Sequence, residues 1–124
     1  MPKKQQRPPI GTVMYHVCEH LYYVPGSTAP VTEFCVCCGS VTGFVERGYV
    51  EAIVTGKDPD GYMTPYYCKL ADIGTKYFYT AAEAAQRAKR MTEDYERIWR
   101  WLGAPEIPMR RLWEDLLSEK GQSV

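Results

Sequence analysis

Apolar and polar residues alternate along TVMYHVCEHLYYV, from Thr12 to Val24, and the run is rich in β-branched and aromatic side chains. That combination predicts a strand with one buried face. Pro25-Gly26-Ser27 breaks the pattern, and a second run from Val31 to Cys35 leads into a cysteine cluster where Gly39-Ser40 predicts a turn. Val41–Glu46 and Tyr49–Val54 are two further strand candidates on either side of Arg47-Gly48. Lys57-Asp58-Pro59-Asp60-Gly61 is a turn signal, because proline fixes φ and glycine accepts a positive φ. Tyr62–Leu70 and Lys76–Tyr79 complete a β-rich section over residues 11–79. Residues 1–10, MPKKQQRPPI, read as a flexible lead-in.

At Thr80 the period changes. Thr80-Ala81-Ala82-Glu83 has the form of a capping box, and Ala84, Ala88, Met91, Tyr95, Ile98 and Leu102 then recur at the spacing of one helical face. Gly103 and Pro105 predict its end. A second, short helix is expected from about Pro108 to Glu119, with Met109, Leu112, Trp113, Leu116 and Leu117 on one side. The predicted class is α+β: a β-rich body (11–79), then a long amphipathic helix and a short C-terminal helix (80–124) packed on that body. The small alanines are expected to lie against the sheet, with Trp99 and Trp101 projecting toward the second helix or a second molecule.

Composition fits one small domain of 124 residues, 45% of them apolar. Fifteen basic and fifteen acidic residues cancel, with the first seven positions basic and the stretch from Pro8 to Tyr79 acidic. A phosphate-neutralising surface calls for a basic excess, so the balance weighs against nucleic acid. No apolar run reaches the ~20 residues that span a bilayer, and no hydrophobic segment follows the basic start as in a signal peptide. A cytoplasmic, reducing setting is therefore expected, in which five cysteines call for an explanation other than disulfides.

Metal ligation is that explanation. Both histidines and four of the five cysteines fall between His16 and Cys38. His16, Cys18 and His20 are two apart and share one side of a strand. Cys35-Val36-Cys37-Cys38-Gly39-Ser40 contains Cys-x-x-Cys-Gly, the form of a tight knuckle. The ligand set expected from spacing is Cys18, His20, Cys35 and Cys38 around one structural zinc ion, with His16 as the alternative to His20 and Cys37 as the alternative to either cysteine of the second pair. Cys68 reads as a small apolar filler.

The Cys-x-His and Cys-x-x-Cys-Gly-Ser pair, over about residues 13–45, resembles a zinc ribbon, departing from it in the Cys-x-His knuckle and in the extra Cys37. The segment YCKLADIGTKYFYT, Tyr67–Thr80, is similar to one found in small uncharacterised proteins of bacterial phages and conjugative elements. That resemblance implies a mobile-element origin and transfers no catalytic residues.

No constellation meets the needs of a reaction. A zinc deaminase requires His-x-Glu and Pro-Cys-x-x-Cys, whereas Phe34 precedes Cys35 here and no His-x-Glu occurs. Both histidines lie in the metal cluster, so no base is left for a cysteine nucleophile. The expected function is a non-catalytic zinc protein that binds a protein partner, as an inhibitor or adaptor, with self-association through the helical part as one form of that binding and nucleic acid as the alternative partner.

Overall fold

The computed structural model describes residues 6–23, 31–102 and 109–110. The order is β1 (Val13–Tyr22), β2 (Val31–Glu46), β3 (Val50–Lys57), β4 (Met63–Lys69), a 3-10 turn (Leu70–Asp72), β5 (Tyr77–Phe78), α1 (Ala81–Trp101) and β6 (Met109–Arg110). The class is α+β. Five strands form an antiparallel sheet in the order β4-β3-β2-β1-β5, and β6 adds a short parallel pairing to β2 at Thr32 and Glu33. The short helix expected from Pro108 to Glu119 lies outside the described residues except at Met109–Arg110, which are strand.

The sheet is curled. Although β4 and β1 are separated by two strands, Tyr66 of β4 packs on the His16 ring of β1 with 4.4 Å between ring centroids. Its concave side holds one core: Met14, Val41, Ala52, Val54, Cys68 and Leu70, with Tyr77 against them. Its convex side carries α1, where Phe34, Val17 and Val36 meet Ala85, Ala88, Met91 and Tyr95. Alanine on a helix permits this close seat on a sheet, and Ala84, Ala85 and Ala88 are fully buried. Further along, Ile98 and Leu102, which continue the sequence pattern, are exposed, as is Trp101, which lies off it. The buried face turns instead through Thr92, whose hydroxyl donates to the Ala88 carbonyl at 2.8 Å, and Glu96.

Two local readings from sequence resolve differently. Thr80 is the N-cap, its hydroxyl oxygen accepting from the Glu83 amide at 3.3 Å, but the hydroxyl also donates to the Glu83 carboxylate at 2.7 Å in place of a carboxylate-to-amide return bond. Gly39-Ser40, expected to turn, instead lies inside β2, which runs unbroken for 16 residues. The glycine serves a close approach of strands. A Cβ on Gly39 would stand 2.6 Å from the Thr55 carbonyl oxygen, and one on Gly56 2.0 Å from that of Cys38. Just beyond, the β2–β3 register shifts between Val41 and Gly43, a bulge that deepens the local twist.

The N-terminal lead-in is held from residue 7 onward in part by Arg7, which pairs with Glu46 and lies over the Phe44 ring. No helix among the described residues is long and apolar enough to cross a membrane.

Candidate metal centre

In an antiparallel pair, residues directly opposite one another point to the same side, and residues two apart on one strand do too. The β1–β2 register sets His16 opposite Cys37, Cys18 opposite Cys35, and His20 opposite Glu33. Six side chains able to bind a metal therefore share the concave side in three rungs, as the prolongation of the apolar core built on Met14. Cys38 is opposite Tyr15 and belongs to the other side. The structure thus does not bring Cys18, His20, Cys35 and Cys38 to one point: parity turns Cys38 away, and it is exposed. A knuckle needs a turn between its cysteines, and β2 has none there. The alternatives His16 and Cys37 are the residues that join Cys18.

Two groups result, each able to hold a metal ion. The inner group is His16, Cys18 and Cys37, whose donor atoms all lie within 4.8 Å of one another. The outer group is His20, Glu33 and Cys35, meeting the same limit. Glu33 is a donor that cysteine and histidine counting from sequence could not reveal. Its signal is the register, which needs the pairing of two strands across a segment with no pattern of its own.

The inner group is the more enclosed. His16 is only 4% exposed, and neither ring nitrogen has a hydrogen-bond partner among the described residues. Tyr66 and Tyr77 flank the ring, at 4.4 and 5.0 Å between centroids. A buried polar group without a partner costs about 1–3 kcal/mol, so the ring carries a local conflict, answered in part by the neighbouring Cys18 sulfur, that an ion would resolve. The two thiols are poised unequally. A hydrogen bond from Cys37, opposed by burial and helped by His16 and Tyr66, holds the Cys18 thiol down at about 5 from an ordinary 9.0. Cys37 is pushed up by giving that hydrogen bond and by burial, and Tyr66 is raised by burial and by the nearby Cys18. The pair thus keeps one proton between two sulfurs, and a divalent cation would compensate both as thiolates. Three protein donors leave the fourth position of a tetrahedral ion to a ligand from outside the group.

The outer group stands at the open end. His20 Nε2 is 3.1 Å from Asp60 Oδ1, its Nδ1 is 4.0 Å from Glu33 Oε1, and the Cys35 thiol donates to Glu33 Oε1 at 2.8 Å. Asp60 reaches this place from the β3–β4 hairpin, where the predicted turn forms: Gly61 takes φ +90°, and the Asp58 carboxylate accepts from the amides of Asp60 and Tyr62 and from the Thr64 hydroxyl. Those bonds, that of Tyr62 foremost, hold the Asp58 carboxyl below its ordinary value. A groove lined in part by Glu33, Cys35, Cys37, Lys57 and Asp58 leads to the cluster.

Cys68, in contrast, is fully buried in the apolar core on β4, and burial pushes its thiol up to about 12. Searches against protein-family models, curated proteins and solved structures find no match to this chain.

Proposed function

We propose that this chain is a zinc-binding domain in which an ion held by His16, Cys18 and Cys37 ties β1 to β2 within the concave face, and which engages a protein partner through the exposed end of α1. The observation that carries the metal reading is the buried His16 ring, whose nitrogens make no geometrically sound hydrogen bond among the described residues, with the Cys18 and Cys37 sulfurs within 4.8 Å of its donor atom. Two thiolates and an imidazole suit zinc over magnesium or calcium, which take oxygen donors. Held between adjacent strands and largely shielded, such an ion acts as a cross-link, adding its binding free energy to that of the fold.

The partner reading is supported by Ile98, Trp101 and Leu102, all exposed at the helix end, with Trp101 at 85%. Exposed aromatic and aliphatic residues gathered on one patch are the usual anchors of an interface. The mixed charge on the rest of α1, where Arg97 pairs with Asp94 and Arg100 with Glu96, offers no basic stripe for nucleic acid.

Elemental analysis of the full chain, purified in reductant and dialysed against a weak chelator, tests the metal. We expect zinc in the wild type, its loss from the inner group in His16→Leu and Cys37→Ser, and full retention in Cys38→Ser. Alkylation of the native zinc form should label Cys38 and spare Cys18 and Cys37. Inner-site zinc that survives His16→Leu, or that disappears in Cys38→Ser, removes the reading. For the partner, Trp101→Ala should leave zinc content and melting temperature unchanged while abolishing capture of the partner.

A further inference from the structure

We infer that His20, Glu33 and Cys35 form a second, separate metal site at the mouth of the concave face, taking a borderline divalent cation such as zinc or cobalt(II), with Asp60 holding the histidine in its ligating form. This goes beyond the inner ion and does not depend on it, because the two groups share no residue.

The tautomer is the first argument. His20 Nε2 lies 3.1 Å from a carboxylate oxygen of Asp60, a distance and partner that fix a proton on Nε2. That leaves Nδ1 as the nitrogen able to ligate in the neutral ring, and Nδ1 is the atom that faces Glu33 and Cys35. A carboxylate behind the distal nitrogen of a ligating histidine is the usual supporting arrangement at metal sites.

Spacing is the second. Bonds of about 2.0–2.3 Å around a tetrahedral ion set neighbouring donor atoms about 3.3–3.8 Å apart. His20 Nδ1 and Glu33 Oε1 are 4.0 Å apart, too far for a hydrogen bond and close to that separation. The Cys35 sulfur is nearer Glu33, at 2.8 Å, because a thiol proton bridges them. A cation takes the place of that proton, and the sulfur moves out by about 1 Å.

Position is the third. Glu33 is a buried carboxylate whose side chain is 7% exposed, held on the rung where β1 and β2 face it to His20. Its neighbours along the same side are the donors of the inner group. Nitrogen, oxygen and sulfur in one cluster exclude magnesium and calcium and favour a borderline ion. The groups are centred about three residues apart along each strand, or roughly 10 Å at ~3.3 Å per residue, so the ions are separate and not bridged. With one thiolate against two, and His20 in contact with solvent, the outer ion should bind at least tenfold more weakly than the inner one and exchange first.

Native mass spectrometry of the metal-free full chain titrated with zinc, with cobalt(II) absorption as the count of thiolate ligands, tests this. Circular dichroism accompanies every variant. The wild type should take up two ions in separated steps. His20→Gln, at a half-buried position chosen so that folding survives, and Glu33→Gln should stop at one. His16→Leu should also stop at one, and the pair His16→Leu with His20→Gln at none. Asp60→Asn should weaken the second step severalfold and leave the first alone. A wild type that saturates at one ion, lost in His16→Leu and kept in His20→Gln, overturns the second site and leaves the inner one standing. One ion lost in His20→Gln and kept in His16→Leu does the reverse. A wild type that takes none overturns both.

Discussion

Replacing His16 by leucine separates folding from metal binding, because the same ring that would hold the ion burdens the metal-free protein. Both ring nitrogens are buried, and neither has a hydrogen-bond partner among the described residues. At about 1–3 kcal/mol for each unsatisfied group, the native ring costs at most roughly 2–6 kcal/mol relative to an apolar side chain of similar size, less whatever the Cys18 sulfur returns to one nitrogen. Against this stands the loss of the ring contacts with Tyr66 and Tyr77, about 0.5–1.5 kcal/mol each, and a shape mismatch of up to about 1.5 kcal/mol. The balance favours leucine by about 1 kcal/mol, or a rise of about 4 °C at ~4 °C per kcal/mol for a domain of this length.

The assay is a pair of thermal melts, one in strong chelator and one in excess zinc. In chelator, His16→Leu should melt above the wild type. With zinc at a hundred times its dissociation constant, the wild type gains about 2.7 kcal/mol from the inner ion, a gain the variant lacks, so the order should reverse or close to parity. A folded variant that melts below the wild type in chelator would show that the ring nitrogens are partnered in solution. An unchanged zinc response in the variant would show that His16 is not a ligand. Either result refutes the reasoning.

Other perturbations report on the frame around the site. Thr80→Ala should cost about 1 kcal/mol, read as a lower urea midpoint, since the hydroxyl is the acceptor for the Glu83 amide; no change would mean that water serves the cap equally well. Gly56→Ala should cost about 3 kcal/mol, because its Cβ would stand 2.0 Å from the Cys38 carbonyl oxygen, and it should weaken zinc binding by displacing the neighbouring Cys37. For Cys68, burial raises the folded pKa from 9.0 to about 12, so the stability held by the neutral thiol is complete below pH 9 and is lost as pH rises from 9 toward 12. Urea midpoints between pH 8 and 10.5 should fall in the wild type and stay flatter in Cys68→Val, with Tyr77, raised by burial to about 12, adding its own loss above pH 10 in both. Parallel profiles would place the alkaline loss elsewhere.

Much of the architecture was legible from residue patterns. The strand runs, the hairpin signal at Asp58–Gly61 and the helix opening at Thr80 are each set by local chemistry, and the structure has them. What local chemistry could not supply was the fate of Gly39. A glycine after a cysteine pair permits a turn, but it equally permits two backbones to approach, and the choice depends on Gly56, seventeen positions away and in contact only after β2 and β3 pair. The buried line at the far end of α1 was hidden for a related reason. Ile98 and Leu102 keep the helical period yet are exposed, while the buried line of the helix runs through Thr92 and Glu96, which depends on what packs there and not on the period.

The ligand set follows from that one decision about Gly39. If the chain turned there, Cys35 and Cys38 would flank a knuckle and could close on one ion. Because the strand continues, side chains alternate with a strict period of two, and the odd positions 33, 35 and 37 separate from Cys38. The same period was already in use on β1, where it grouped His16, Cys18 and His20. Extending it to β2 pairs each of those residues with a donor, the third being a glutamate. The spacing Cys-x-Cys, not Cys-x-x-Cys, is thus the informative one in this chain. A ligand spacing has meaning only with the backbone that carries it: three residues close a knuckle, and two residues line a strand.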